Sequence, residues 1–142
     1  MTPTLSGRLQ TRIVLLAVVG VLWTLIVGPV LPRPDGASLG DVYDLTLSAI
    51  AVVAVVGLVW ELIYHGLQQF RWEKDWPAFF GLLTGINEGL VAFVVLDAWR
   101  GAIPVTTYAL HYSTTWLVVW FVANGPLRVV ALRWRYRGGR FV

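Results

Sequence analysis

The feature that most constrains this chain is residues 78–98, AFFGLLTGINEGLVAFVVLDA, an apolar run long enough to cross a bilayer with Asn87 and Glu88 at its middle. At about 1.5 Å per residue, Glu88 lies roughly 15 Å from the start of the run, which is the midplane of a hydrocarbon core about 30 Å thick. An unpaired carboxylate at that depth costs at least about 2.5 to 3.5 kcal/mol. Glu88 is therefore expected to be protonated, hydrogen-bonded or open to water. Gly81, Gly85 and Gly89 recur at a spacing of four beside it, giving the helix a smooth ridge for close helix contact. Steps of about 100° per residue place Glu88 at the border of that ridge, Thr84 farther round, and Asn87 near the opposite side. One helix neighbour cannot satisfy both Asn87 and Glu88, so this segment is expected to have several protein neighbours.

Three other apolar segments accompany it, near residues 12–30, 42–66 and 103–124. With 57% hydrophobic and 13% charged residues, the chain is too apolar for a soluble domain of this size. It reads as one all-α integral membrane domain over residues 1–142, with four transmembrane helices in an up-down bundle. The first segment follows Arg8 and Arg12 as a signal peptide would, but it is long and lacks a small-x-small cleavage site, so it reads as a retained helix. Residues 1–11, with Pro3 and Gly7, are expected to be irregular. Gly28-Pro29 ends or kinks the first helix, and residues 31–41 form a loop rich in proline and glycine. Trp76-Pro77 opens the third helix, and Asn124-Gly125-Pro126 breaks the fourth.

Charge sets the orientation. Arg8, Arg12, Arg71, Lys74, Arg128, Arg133, Arg135, Arg137 and Arg140 flank one side of the spans, and only Arg33 and Arg100 the other. The excess of basic residues on the cytoplasmic side of membrane proteins puts both termini in the cytoplasm, and the plasma (inner) membrane is the expected location. The segment after residue 126 mixes arginines with Val129, Val130, Leu132 and Trp134. It is expected to be a short basic amphipathic stretch on anionic lipid headgroups, with Arg128, Arg133, Arg135 and Arg137 as the contacts. Net charge of +3 does not point to nucleic acid, because acidic Glu73 and Asp75 interrupt the basic-aromatic run at 67–77.

The polar residues inside the spans are the candidates for chemistry. Depth matching against Glu88 nominates Thr24 and Trp23 on the first helix and Thr114 and Thr115 on the fourth, with His111 about one turn nearer the outside. A Glu88–His111 link would open a polar path from the outer face to the midplane. Thr24 also has a simpler reading, a hydroxyl bonded to its own helix backbone. Glu61 and His65 stand four apart at the far end of the second helix, a spacing that suits a side-chain pair or two metal ligands. Interfacial residues of this kind more commonly snorkel to the headgroup layer or pair with nearby arginine. No metal site is expected, since two ligands do not make one and the two histidines differ in depth. Without cysteine there is no thiolate chemistry, and Ser113 and His111, two residues apart, point to different parts of their helix. No catalytic residue is therefore assigned.

The leading expectation is a non-enzymatic subunit that assembles with other membrane subunits, or with itself, through the third helix, using Gly81, Gly85, Gly89 and Asn87 as contacts. The first alternative is a homo-oligomeric proton-coupled transporter or channel using Glu88, with His111, Thr84, Thr115 and Thr24 as its polar surroundings. The second is a quinone- or haem-binding membrane anchor, although no cofactor is predicted outright.

Overall fold

The computed structural model describes residues 4–71 and 77–131, and among these every regular element is helical. Four long helices follow one another. α1 runs Leu5–Val30, α2 Leu39–Gln69, α3 Ala78–Arg100 and α4 Val105–Asn124, and a short α5, Pro126–Val130, closes the described chain. α1, α2 and α3 are each long and apolar enough to cross a membrane. α4 is 20 residues long, and its first half carries Thr106, Thr107, His111, Ser113, Thr114 and Thr115 between its apolar positions.

Local chemistry places the helix ends, and several lie outside the sequence expectation. α1 begins seven residues before Arg12 because the Thr4 hydroxyl accepts the Gly7 N–H at 3.1 Å, which caps the first turn and makes residues 5–11 helical instead of irregular. α2 begins at Leu39 because Ser38 and Asp41 form a reciprocal capping box. Asp41 N–H donates to Ser38 Oγ at 3.2 Å and Ser38 N–H donates to Asp41 Oδ2 at 2.8 Å. α3 starts directly after Pro77 and ends at Gly101, whose φ of 79° only glycine adopts without strain. α1 is not uniform: Leu15–Gly20 forms a π turn, and Gly28–Val30 tightens to a 3-10 turn around Pro29.

The helices pack in a ring, α1 on α2, α2 on α3, α3 on α4 and α4 back on α1. The core between them is Leu16, Leu45, Ile50, Val53, Leu96 and Tyr108 with the small Ala49 and Ala92. Only 28 to 33% of each spanning window is buried in the bundle, so most of the apolar surface faces outward. Leu22, Ile26, Val55, Ile86, Leu90 and Val94 are all exposed. An outside as apolar as the inside suits hydrocarbon as the solvent.

At the end of the bundle that holds the loop of residues 31–38, polar contacts fasten the connections. Arg100 pairs with Asp44 and donates to Ser48 Oγ at 2.6 Å. Tyr43 OH donates to the Leu25 carbonyl at 3.0 Å, and Thr107 Oγ1 to the Pro32 carbonyl at 2.7 Å.

Candidate functional site

Glu88 is 1% exposed and is paired across the centre of the ring, from α3 to Arg12 on α1. Both of its oxygens take part: Arg12 Nη1 donates to Oε1 and Arg12 Nη2 to Oε2 at 3.0 Å. The same guanidinium reaches α2, where Nε and Nη2 donate to Glu61 Oε1 at 3.3 and 3.2 Å. Arg8, one turn earlier on the same face of α1, donates to Glu61 Oε2 at 3.3 Å and to Gln68 Oε1 at 2.7 Å. Two arginines and two carboxylates thus form one neutral network joining three helices. The Trp116 ring of α4 lies 5.8 Å from the Arg12 guanidinium carbon, a cation–π distance that adds the fourth helix.

The backbone makes room for this network. A Cβ on Gly57 of α2 would run into the Arg12 guanidinium, so only glycine lets the side chain cross there. On α3 the glycine ridge receives α4. Tyr112 fills the space above Gly89 and Trp116 the space above Gly85, where side chains would collide with the rings. Four aromatics spaced by four on α4 donate in order to carbonyls of the antiparallel α3: Tyr108 OH to Gly89 at 2.8 Å, Tyr112 OH to Gly85 at 2.7 Å, Trp116 Nε1 to Leu82 at 3.2 Å and Trp120 Nε1 to Ala78 at 2.9 Å. The ridge expected to meet other chains is covered at Gly85 and Gly89 by the chain's own α4. Gly81 stands more open, with Trp120 Nε1 3.9 Å from the position of a Cβ.

The structure corrects the partners expected for Glu88. His111 does not meet it. His111 Nε2 instead lies 2.8 Å from Thr24 Oγ1, and that hydroxyl is also 2.8 Å from the Gly20 carbonyl. A hydroxyl that donates to Gly20 accepts from an Nε2–H, leaving His111 Nδ1 a bare buried acceptor. Thr24 bonds its own backbone, as the simpler reading of it has it. Depth matching does pair α1 with α4 through Trp23 Nε1 and Thr114 Oγ1 at 3.1 Å, but Glu88 sits on another wall of the ring. Thr115 Oγ1 is buried without a hydrogen-bond partner among the described residues, and Thr84 donates to its own Gly81 carbonyl at 2.9 Å. The physical reason is reach: the long Arg12 side chain extends from a helix start toward the middle of α3, and the strong guanidinium–carboxylate match outweighs proximity in depth.

Glu61 and His65 are not a pair. Glu61 belongs to the arginine network, and His65 Nδ1 is buried without a hydrogen-bond partner among the described residues. No group of three metal-ligating side chains is found among the described residues. Asn87 is exposed on the outer side of α3, and among the described residues its side chain has no hydrogen-bond partner. Arg128 is exposed at the start of α5, whereas Arg133, Arg135 and Arg137 lie outside the described residues.

Arg8 and Arg12 belong to the site although in the sequence they figure only as flanking charges that set the orientation. A signal existed: arginines at i and i+4 on α1 face Glu61 and Gln68 at i and i+7 on the next, antiparallel helix. Neither a family model, nor a curated protein, nor a solved structure matches this chain.

Proposed function

We propose that this protein is a non-enzymatic subunit of a membrane assembly, with four spans, both termini cytoplasmic, and the outer face of α3 as its contact surface. Asn87 carries the reading. It is the tenth residue of a 23-residue spanning helix, it is exposed among Leu83, Ile86, Leu90 and Val91, and a carboxamide left unbonded in hydrocarbon is costly. A neighbouring membrane chain, or another copy of this one, supplies its partner. The placement of charge supports the orientation: Arg8, Arg12 and Arg128 gather at one end of the bundle, and Arg33 and Arg100 lie toward the other.

The arrangement of Glu88 favours this reading over a proton carrier. Both of its oxygens are engaged by Arg12, and the histidine that would continue a proton path is bonded to Thr24 instead. A membrane-assembly role asks only that this network stay closed.

The test is assembly in mild detergent. The wild-type chain is expected to elute with other membrane chains or as an oligomer, and Asn87→Leu to elute alone as a monomer with its helical content unchanged. A wild-type chain that is monomeric and unaccompanied, or an Asn87→Leu chain that keeps its partners, would remove the proposal.

A further inference from the structure

The ion-pair network leaves part of its end of the bundle unfilled. Beside it lies a half-open cavity of about 140 Å³. Arg8, Arg12 and Glu61 form one wall, Phe80, Trp116 and Trp120 another, and Arg128 lines it from α5. The cavity extends along α3 from Ala78 to Thr84, a depth of about 9 Å at 1.5 Å per residue. Leu15 and Val119 add to its apolar lining.

Its charge is unbalanced. Among the described residues three guanidinium groups, those of Arg8, Arg12 and Arg128, face two carboxylates, Glu61 and Glu88, which leaves one positive charge over. Two donor groups have no acceptor among the described residues: the exposed guanidinium of Arg128, and the Nε–H of Arg8, which is buried. Arg8 itself is 8% exposed and held by Glu61 and Gln68, so the Arg8 side of the cavity is fixed in place. A surplus positive charge above aromatic and aliphatic walls calls for a ligand with an anionic head and an apolar body. A small hydrated anion gains nothing from Phe80, Leu15 and Val119, whereas an acyl chain does.

We propose that this cavity is a binding site for one anionic phospholipid, its phosphate on Arg128 beside the Arg8 wall and the upper part of an acyl chain along Phe80, Trp116 and Val119. The site is independent of the outer face of α3 and of Asn87. It differs from a diffuse attraction between a basic tail and the membrane surface, because one lipid occupies one defined place.

The measurement is native mass spectrometry of the full chain released from mild detergent micelles doped with phosphatidylglycerol or phosphatidylcholine. The expected result is one tightly retained phosphatidylglycerol per chain, preferred several-fold over phosphatidylcholine. Ala123→Phe, which fills the cavity without changing charge, abolishes the preference. Arg128→Gln lowers it about fivefold, the effect of removing one basic residue from an anionic surface. Equal retention of the two lipids would overturn the proposal. So would an Ala123→Phe chain that keeps the preference, since surface charge alone then accounts for it. Inorganic phosphate in excess is expected neither to bind on its own nor to displace the lipid; if it does both, the site is one for free phosphate and the lipid assignment fails. Arg128 is exposed and bonded to no described residue, so Arg128→Gln is expected to fold even if Ala123→Phe does not, and an Arg128→Gln chain that keeps the full preference, or that still binds more than one phosphatidylglycerol, would also overturn the proposal.

Discussion

α1 is fastened to the bundle at two levels by opposite kinds of chemistry. Near its start Arg12 makes a charged network with Glu88 and Glu61. Twelve residues on, about 18 Å along the axis, Thr24 makes a neutral contact with His111. The charged level hydrogen-bonds α1 to α2 and α3 and touches α4 only through the Trp116 ring, whereas the neutral level hydrogen-bonds α1 to α4. The difference is one of consequence. Removing one partner of a buried ion pair leaves a desolvated charge with nothing to oppose it. Removing one partner of a neutral hydrogen bond leaves a dipole.

Four substitutions probe that contrast. The largest effect is expected for Arg12→Leu, which strands Glu88 and weakens the hold on Glu61. Breaking such a pair costs about 3 to 5 kcal/mol, read as a lowered thermal unfolding midpoint in detergent. Adding Glu88→Leu to the same chain should recover most of that loss, because apolar replacement of both partners is close to neutral. If the double variant is as unstable as the single one, the network does not owe its importance to the Arg12–Glu88 match. A smaller effect is expected for Gly85→Leu, which touches no charge but pushes against the Trp116 ring beneath Arg12. Overpacking of this kind costs about 1 to 3 kcal/mol, and an unfolding midpoint equal to wild type would show that the ridge tolerates side chains. The smallest is Thr24→Val, which keeps shape and loses the hydroxyl. The expected cost is about 1 kcal/mol, and a loss as large as that of Arg12→Leu would erase the distinction between the two levels.

The helices were legible because their apolar runs are long, and the order of elements follows directly. Their ends were less so. The α2 start carries a signal in Ser38-x-x-Asp41, a capping box, that the apolar run from residue 42 does not show, and the α1 start depends on a single hydroxyl at Thr4, a weak local signal beside Pro3 and Gly7. The position of Glu88 and its separation from Asn87 follow from helical periodicity, and the structure places the two on inner and outer faces accordingly. Its partner does not follow from periodicity. Depth counting treats residues as points on an axis, whereas Arg12 spans several ångströms of its own length and passes over Gly57 to do so. The destination of the glycine ridge was hidden for a similar reason. Small residues announce a close contact without saying which helix makes it, and the rings at Tyr108, Tyr112, Trp116 and Trp120 share a spacing of four that matches the ridge only once α3 and α4 are known to be adjacent.

The π turn at Leu15–Gly20 has a consequence for α1 as a whole. In an uninterrupted α-helix, twelve steps of about 100° would leave Thr24 roughly 120° around the axis from Arg12, and the two could not both look inward. A π turn accommodates one additional residue, which absorbs one of those steps and leaves them about 20° apart. Thr24 is buried and the Arg12 side chain is only 10% exposed. The wide turn is thus an indexing device: a single inserted residue resets the rotational phase of α1, so that a helix whose sequence would spiral its two polar anchors onto different sides presents them along one line.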